Sequence, residues 1–240
     1  MDPLARVESI PGWLRAADAE KLYELAQLTS GPILEIGTHY GKSAVLMALA
    51  VKDAGRRDVI YTLDIDRRFL GAAAAEARAR EVDDVIVFVR GTSRAFARAY
   101  PNLRPALTFV DGDHTRAGVE RDLAALEALV PVGGSLLFHD FADPRNDDPG
   151  CPDTKVRPAV EESWVRRDCE FVGAFGVCGL FQRREASLQS SAAVADLIPL
   201  EDWRDRLRYG VRYPAARVLR ALTSIGSGSR SDSHAREWRG

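Results

Sequence analysis

From residue 16 to residue 183 the chain alternates short apolar runs with helix-patterned segments, and that alternation limits the folds open to it. Asp18 to Leu28 reads as a helix, with Leu22, Leu25 and Leu28 at helical spacing and Asp18 as its expected N-cap. Pro32 to Ile36 reads as a buried strand, and Ser43 to Val51 as a packed helix. Val59 to Leu63 is the next strand, and Phe69 to Arg80, rich in alanine, the next helix. Val85 to Val89 and Ala106 to Val110 are further strands. Gly118 to Val130 is an amphipathic helix, and Ser135 to Phe138 a fifth strand. Strands separated by helices imply a parallel sheet covered on both faces.

The pattern then changes. Glu170 to Ala174 and Val177 to Gln182 are strand-like and joined by a link too short for a crossover, so the pair must be antiparallel. The expected fold is α/β: a Rossmann-like, doubly wound sheet of about seven strands, mostly parallel, with an antiparallel last strand. Residues 1–185 form the domain, with an N-terminal helical cap. Residues 186–223 read as a helical extension, Arg-rich from Trp203 to Leu222, and residues 224–240 as a low-complexity, disordered tail. The Arg-rich stretch could mark a membrane-surface or partner helix, but Asp202, Asp205 and Pro214 interrupt it, which favours a surface packed on the domain.

Charge and cysteine content exclude several classes. A formal net charge of −2 gives no electrostatic case for nucleic acid. Cys151, Cys169 and Cys178 fit neither a disulfide framework nor a zinc site, and a reducing cytoplasm is the simpler setting. The opening residues show no secretory h-region, and no apolar run is long enough for a transmembrane segment. Nothing in the chain speaks for or against a homo-oligomer.

The strongest local signal is ILEIGTHYGKSAVLMA, residues 33–48. A strand carrying Glu35 runs into a turn with Gly37, Thr38 and Gly41, then into a helix start with Ser43. Glycines there permit a tight turn and close approach to a ligand, toward which the helix points its free N–H groups. Taken alone, the glycines mark any tight strand-to-helix turn. The spacing departs from the G-x-G-x-x-G dinucleotide fingerprint, and Glu35 suits a cationic ligand better than a pyrophosphate. The second signal is YTLDIDRRF, where Asp64, or secondarily Asp66, ends the second strand. Alone such a pair caps the next helix; one helix after the first motif, a carboxylate holding both ribose hydroxyls is favoured.

The fourth and fifth strands end in TFVDGDH and LLFHD. These place Asp111, Asp113, His114, His139 and Asp140 at the sheet edge where open α/β folds bind ligands. With His39 in the first loop, three of the four histidines fall in these loops. Each alone is an ordinary hydrogen-bonding residue; their grouping points to function.

This ordered run resembles the class I S-adenosyl-L-methionine-dependent methyltransferases, similar to catechol-type O-methyltransferases. It is closer still to a bacterial group acting on sugars and natural products. The likeness rests on Gly12-Trp13-Leu14, Glu35 to Ser43, Asp111 to His114 and His139-Asp140, and spans residues 10–183. It implies that Glu35 and Gly37 line the methionine and ribose portion of S-adenosyl-L-methionine (SAM). Ser43 would bind the cofactor's carboxylate, Asp64 its ribose, and Thr92 and Ser93 its adenine, with Asp111 at the methyl-transfer centre. It also implies two uses for the loops. Asp111 and Asp140 match aspartates that hold a divalent metal, Mg²⁺ or Mn²⁺, although Phe141 replaces an Asn ligand and His139 an aspartate. Alternatively His114, three residues after Asp111, stands where relatives place a catalytic base, with His139 next in order. The expected reaction is methyl transfer to a hydroxyl of a small molecule, a sugar or secondary metabolite. An NAD(P)-dependent oxidoreductase and a catalytically inactive SAM-binding partner protein are the alternatives.

Overall fold

The computed structural model describes residues 2–185; the expected extension and tail, residues 186–223 and 224–240, lie outside them. Among the described residues the elements are α1 (Ala16–Leu28), β1 (Ile33–Ile36), α2 (Lys42–Asp53), β2 (Ile60–Asp64), α3 (Arg67–Ala79), β3 (Ile86–Arg90), α4 (Ser93–Ala99) and β4 (Leu107–Val110). They continue with α5 (Arg116–Leu126), β5 (Ser135–Phe138), α6 (Val156–Glu161), α7 (Trp164–Asp168), β6 (Cys169–Phe175) and β7 (Cys178–Arg183). The seven strands form one sheet in the order β3-β2-β1-β4-β5-β7-β6. Strands β1 to β5 are parallel, and β7 pairs antiparallel with both β5 and β6. The expected α/β architecture is therefore present, antiparallel last strand included.

The apolar runs are continuous because both sheet faces are covered. Ile33, Ile60, Leu107 and Phe109 face a core closed by α1 and α2, where Leu22, Leu25, Val45 and Leu49 are buried. Leu34, Ile36, Val110 and Phe138 face the other core, closed by Val119, Leu123 and Trp164. Short helices α4, α6 and α7 are not expected from sequence. They span only 7, 6 and 5 residues, too few for a helical period to show.

Strand register positions the site. Ile36 pairs with Leu63 on one side and Val110 on the other, and Val110 pairs with Phe138. The carboxyl ends of β1, β2, β4 and β5 are thus level, and the order reverses between β1 and β4. Open α/β sheets bind ligands at such a switch point.

One expectation is corrected. Helix α1 begins at Ala16, so Asp18 is not its N-cap but sits at the third helical position, fully buried. Its carboxylate accepts the N–H of Arg15 at 3.2 Å, half of a capping box, and that of Val177 at 2.8 Å. The second bond ties the N-terminal helix to the β6–β7 turn. Asp18→Ala should leave both N–H groups unpaired and lower unfolding free energy by ~2–4 kcal/mol in a denaturant titration, with Asp18→Asn losing clearly less. An unchanged Asp18→Ala midpoint would contradict this role.

Candidate active site

The turn after β1 is shaped by its contacts with neighbouring chain. Gly37 has φ +99°, and a Cβ there would lie 2.0 Å from the Asp111 carbonyl oxygen. Gly41 has φ +86°, and its Cβ would lie 2.7 Å from that of Ala73 on α3. Both glycines are thus required by close contacts within the fold, with the start of the β4 loop and with α3, and Gly37 also lines the cavity. Lys42 begins α2 with Ser43 next, and both line a cavity of about 1460 Å³ at the level ends of the strands. Small-molecule pockets measure roughly 300–1,000 Å³, so this cleft is larger than a single such pocket.

Asp64 is in the cavity wall, and Asp66 is not. The two Asp64 oxygens accept the N–H of His39 at 2.9 Å and of Asp66 at 2.8 Å, which fixes the carboxylate with lone pairs still free toward the cavity. Asp66 instead caps α3 through Arg68 N–H at 2.8 Å. Thr92 and Ser93 line the cavity beyond Asp64. Thr92 caps α4 through Ala95 N–H, and Ser93 Oγ lies 2.6 Å from Asp122 Oδ1 on α5. Asp122 also lines the cavity and is not expected from sequence, where it reads as one charge on a helix.

Glu35 sits differently from its expected place. It is fully buried behind the turn and outside the cavity wall. Thr62 Oγ1 donates to its Oε2 at 2.5 Å, Thr38 Oγ1 lies 2.6 Å from that hydroxyl, and Oε1 has no hydrogen-bond partner. Burial pushes the carboxyl up to about 8, against the Ser43 and Thr62 hydroxyls, which pull it down.

The densest chemistry is at the ends of β4 and β5. His114 bridges two carboxylates, with Nε2 3.0 Å from Asp111 Oδ1 and Nδ1 3.0 Å from Asp140 Oδ2. His139 Nδ1 is also 3.0 Å from Asp111 Oδ1 and 3.5 Å from Asp140 Oδ1, but out of line for a hydrogen bond. Burial opposes charge on His114, yet its bonds to Asp111 and Asp140 push it up to about 10. Burial opposes charge on His139 too, and Asp111, Asp140 and Asp18 overcome it. Burial disfavours the Asp111 carboxylate, but the two imidazoles hold it below the usual range. Asp140 has φ +56° and is held there by Asn146 Nδ2 donating to its carbonyl at 2.7 Å and by Arg145 at its carboxylate at 2.9 Å. Such a backbone persists only where surroundings over-determine it, commonly at working sites.

Of the three loop histidines, two meet. His39 lines the cavity but packs on Tyr40 and Phe69, with ring centroids 4.5 and 4.6 Å away. Asp113 pairs with Arg121 at 2.9 Å, and both line the cavity apart from the histidine cluster. Phe141 is buried against Phe181 in the core, away from the cluster. Trp13, Arg15 and Arg145 also line the cavity.

Residues 34–141 match the family model for a methyltransferase domain. That stretch of the chain is similar to a methyltransferase domain, and it lies on the Rossmann-like sheet described above. Among curated proteins, the rhamnosyl O-methyltransferase of Mycobacterium tuberculosis (strain ATCC 25618 / H37Rv) is 28% identical over 134 residues, 53% of this chain and 53% of that protein. The chain thus spans about half the length of the curated relatives it matches. The O-methyltransferase TomG from Streptomyces achromogenes, solved with SAM, is 19% identical with a TM-score of 0.59, covering 77% of this chain and 91% of TomG. CalS11, a TDP-rhamnose 3'-O-methyltransferase of calicheamicin biosynthesis, is 15% identical with a TM-score of 0.51, covering 68% of this chain and 76% of CalS11. No helix among the described residues is long and apolar enough to cross a membrane.

Glu35 makes a checkable electrostatic claim. Its carboxyl titrates near 4.5 when free and is raised to about 8 in the fold. The fold thus favours the protonated form, and that contribution is complete below the free value and lost as pH rises through the folded one. Relative to Glu35→Gln, which does not titrate, the parent should lose stability between the two values by at most about 1.4 kcal/mol per pH unit, then level off. Parallel stability curves in denaturant titrations would contradict the burial argument.

Proposed function

We propose that the chain transfers the methyl group of SAM to a hydroxyl of a small molecule, with a sugar ring as the acceptor class. The observation that carries this reading is one cavity running from Asp64 at β2 to the Asp111–His114–His139–Asp140 cluster at β4 and β5. Asp64 accepts the ribose hydroxyls, and Thr92 and Ser93 stand by the adenine. Gly37, Thr38 and Ser43, in the cavity wall, surround the methionine half, with the start of α2 toward its carboxylate, and Gly41 shapes the turn behind them. Glu35, buried with its proton retained, braces the turn from behind through Thr62 and Thr38. The rhamnose acceptors named for two of the similar proteins support the sugar class.

The sulfonium is already activated, so in-line positioning is the protein's main task. Bound there, SAM would supply an activated methyl group, which the acceptor oxygen would take as the sulfur–carbon bond breaks with its electron pair left on sulfur. The hydroxyl proton leaves toward the cluster. His114, clamped between carboxylates, is an imidazolium at neutral pH. It serves as the base expected from sequence only with those carboxylates engaged elsewhere.

The donor set fits a divalent cation. Asp111, His114 and His139 offer ligand atoms within 4.8 Å of one another, Asp140 adjoins them, and buried His139 Nδ1 lacks an aligned hydrogen bond. Asp111, Asp140 and His139 would hold the ion, and the imidazole favours Mn²⁺ over Mg²⁺. A bound cation would lower the pKa of an acceptor hydroxyl.

Asp64→Ala should weaken SAM binding at least about tenfold by calorimetry, since charged hydrogen bonds contribute roughly 1.5–3 kcal/mol each. Unchanged affinity would remove the ribose assignment, and tight NAD binding by the parent would favour the oxidoreductase instead. His114→Asn should lower kcat ~10²–10⁴-fold and leave SAM affinity alone. Excess chelator should abolish turnover and Mn²⁺ restore it; full turnover in chelator, with no metal by elemental analysis, would remove the cation from the scheme.

A further inference from the structure

We infer that Trp13 is the platform on which the acceptor's ring stacks at the cavity mouth. The inference rests on the methyl-transfer reading and adds the residue that recognises the acceptor. Trp13 lines the same cavity as the Asp111–Asp140 cluster, yet is 89% exposed, the most exposed large hydrophobic residue among those described. A bare indole does nothing for the fold, and its neighbours explain why it is held there. Leu14, next to it, and Ile10, three residues before it, are buried. Lys42 Nζ donates to the Gly12 carbonyl at 3.2 Å, and Arg15 N–H donates to Asp18 at 3.2 Å. The backbone is thus pinned before and after the indole while the ring is left to solvent.

The strap carrying Trp13 also spans the two sides of the site. Its Gly12 end rests on Lys42 at the start of α2, in the loop assigned to the cofactor. Its Arg15 end lies 3.5 Å from Asp143, three residues beyond Asp140. An acceptor entering between the cofactor and the cluster passes this ring. Indole offers a broad apolar face with one N–H, and its partners of choice are rings with an apolar face: the C–H face of a pyranose, or a flat phenol. Hydrogen bonds in the cluster can orient a hydroxyl, but only an apolar face at the mouth can fix the plane of the ring that bears it.

The test uses the full chain saturated with S-adenosylhomocysteine, whose binding is first measured by calorimetry. Methyl α-L-rhamnopyranoside and, separately, catechol are titrated while tryptophan emission is followed in the parent and in Trp13→Phe. A ring that stacks on Trp13 changes the parent's emission and leaves that of Trp13→Phe flat. The probe that does so identifies the ring as sugar or phenol. With the accepted ring as substrate, Trp13→Ala should raise KM at least about tenfold, leave kcat and homocysteine-cofactor affinity near parental, and keep the parental melting temperature; Trp13→Phe should restore most of the KM. Emission unresponsive to both probes in a chain that binds S-adenosylhomocysteine, or the same response in Trp13→Phe, would overturn the platform alone. Failure to bind S-adenosylhomocysteine would overturn the methyl-transfer reading beneath it.

Discussion

Four parallel strands ending at one level are the constraint on which the site depends. Because Ile36 is paired to both Leu63 and Val110, the loops after β1, β2 and β4 leave the sheet side by side, and Phe138 brings the β5 loop beside them. A one-residue slip in any pairing would turn its side chains to the opposite face. It would also separate Asp64 from the Gly37 turn or Asp140 from Asp111. The Gly37 contact with the Asp111 carbonyl enforces this closeness: any side chain there would push β1 and β4 apart.

On that frame the electrostatics divide into two centres. One is the hidden carboxyl of Glu35, tied to Thr62 and through it to Thr38, with charge disfavoured by burial. The other is the open cluster, where two carboxylates and two imidazoles hold one another charged. Like charges in a low-dielectric pocket are costly, so the acidic pair Asp111 and Asp140 must be countered by protons on the histidines or by a cation. This is why the histidines read as proton holders in the fold itself, and why a metal and a free imidazole base are coupled possibilities in one scheme.

Much of this architecture is legible in the sequence because it rests on order and adjacency. Strand-like runs ending in Glu35-Ile36-Gly37, Asp64, Asp111 and His139-Asp140 are enough to place those residues at one sheet edge. Contact between distant residues is not legible. Asp18 looks like a cap until Val177 arrives from the far end of the domain. Asp122 looks like a surface charge until Ser93 meets it. Glu35 reads as a cavity residue because its position in the motif is plain, but whether its side chain faces the cavity or the sheet depends on the turn. The Gly12-Trp13-Leu14 segment is visible as part of a resemblance, yet nothing local says that the central indole is bare while both neighbours are anchored.

The central claim is that a SAM-type cofactor lies across the ends of β1 and β2 with its reacting end at the β4–β5 cluster. A crystal structure of the full chain with S-adenosylhomocysteine tests it most directly. The account requires both ribose hydroxyls on the Asp64 carboxylate, the adenine by Thr92 and Ser93, and the sulfur facing the space beside Asp111. A ligand bound elsewhere, or bound in reverse with its adenine at His114 and His139, would contradict it.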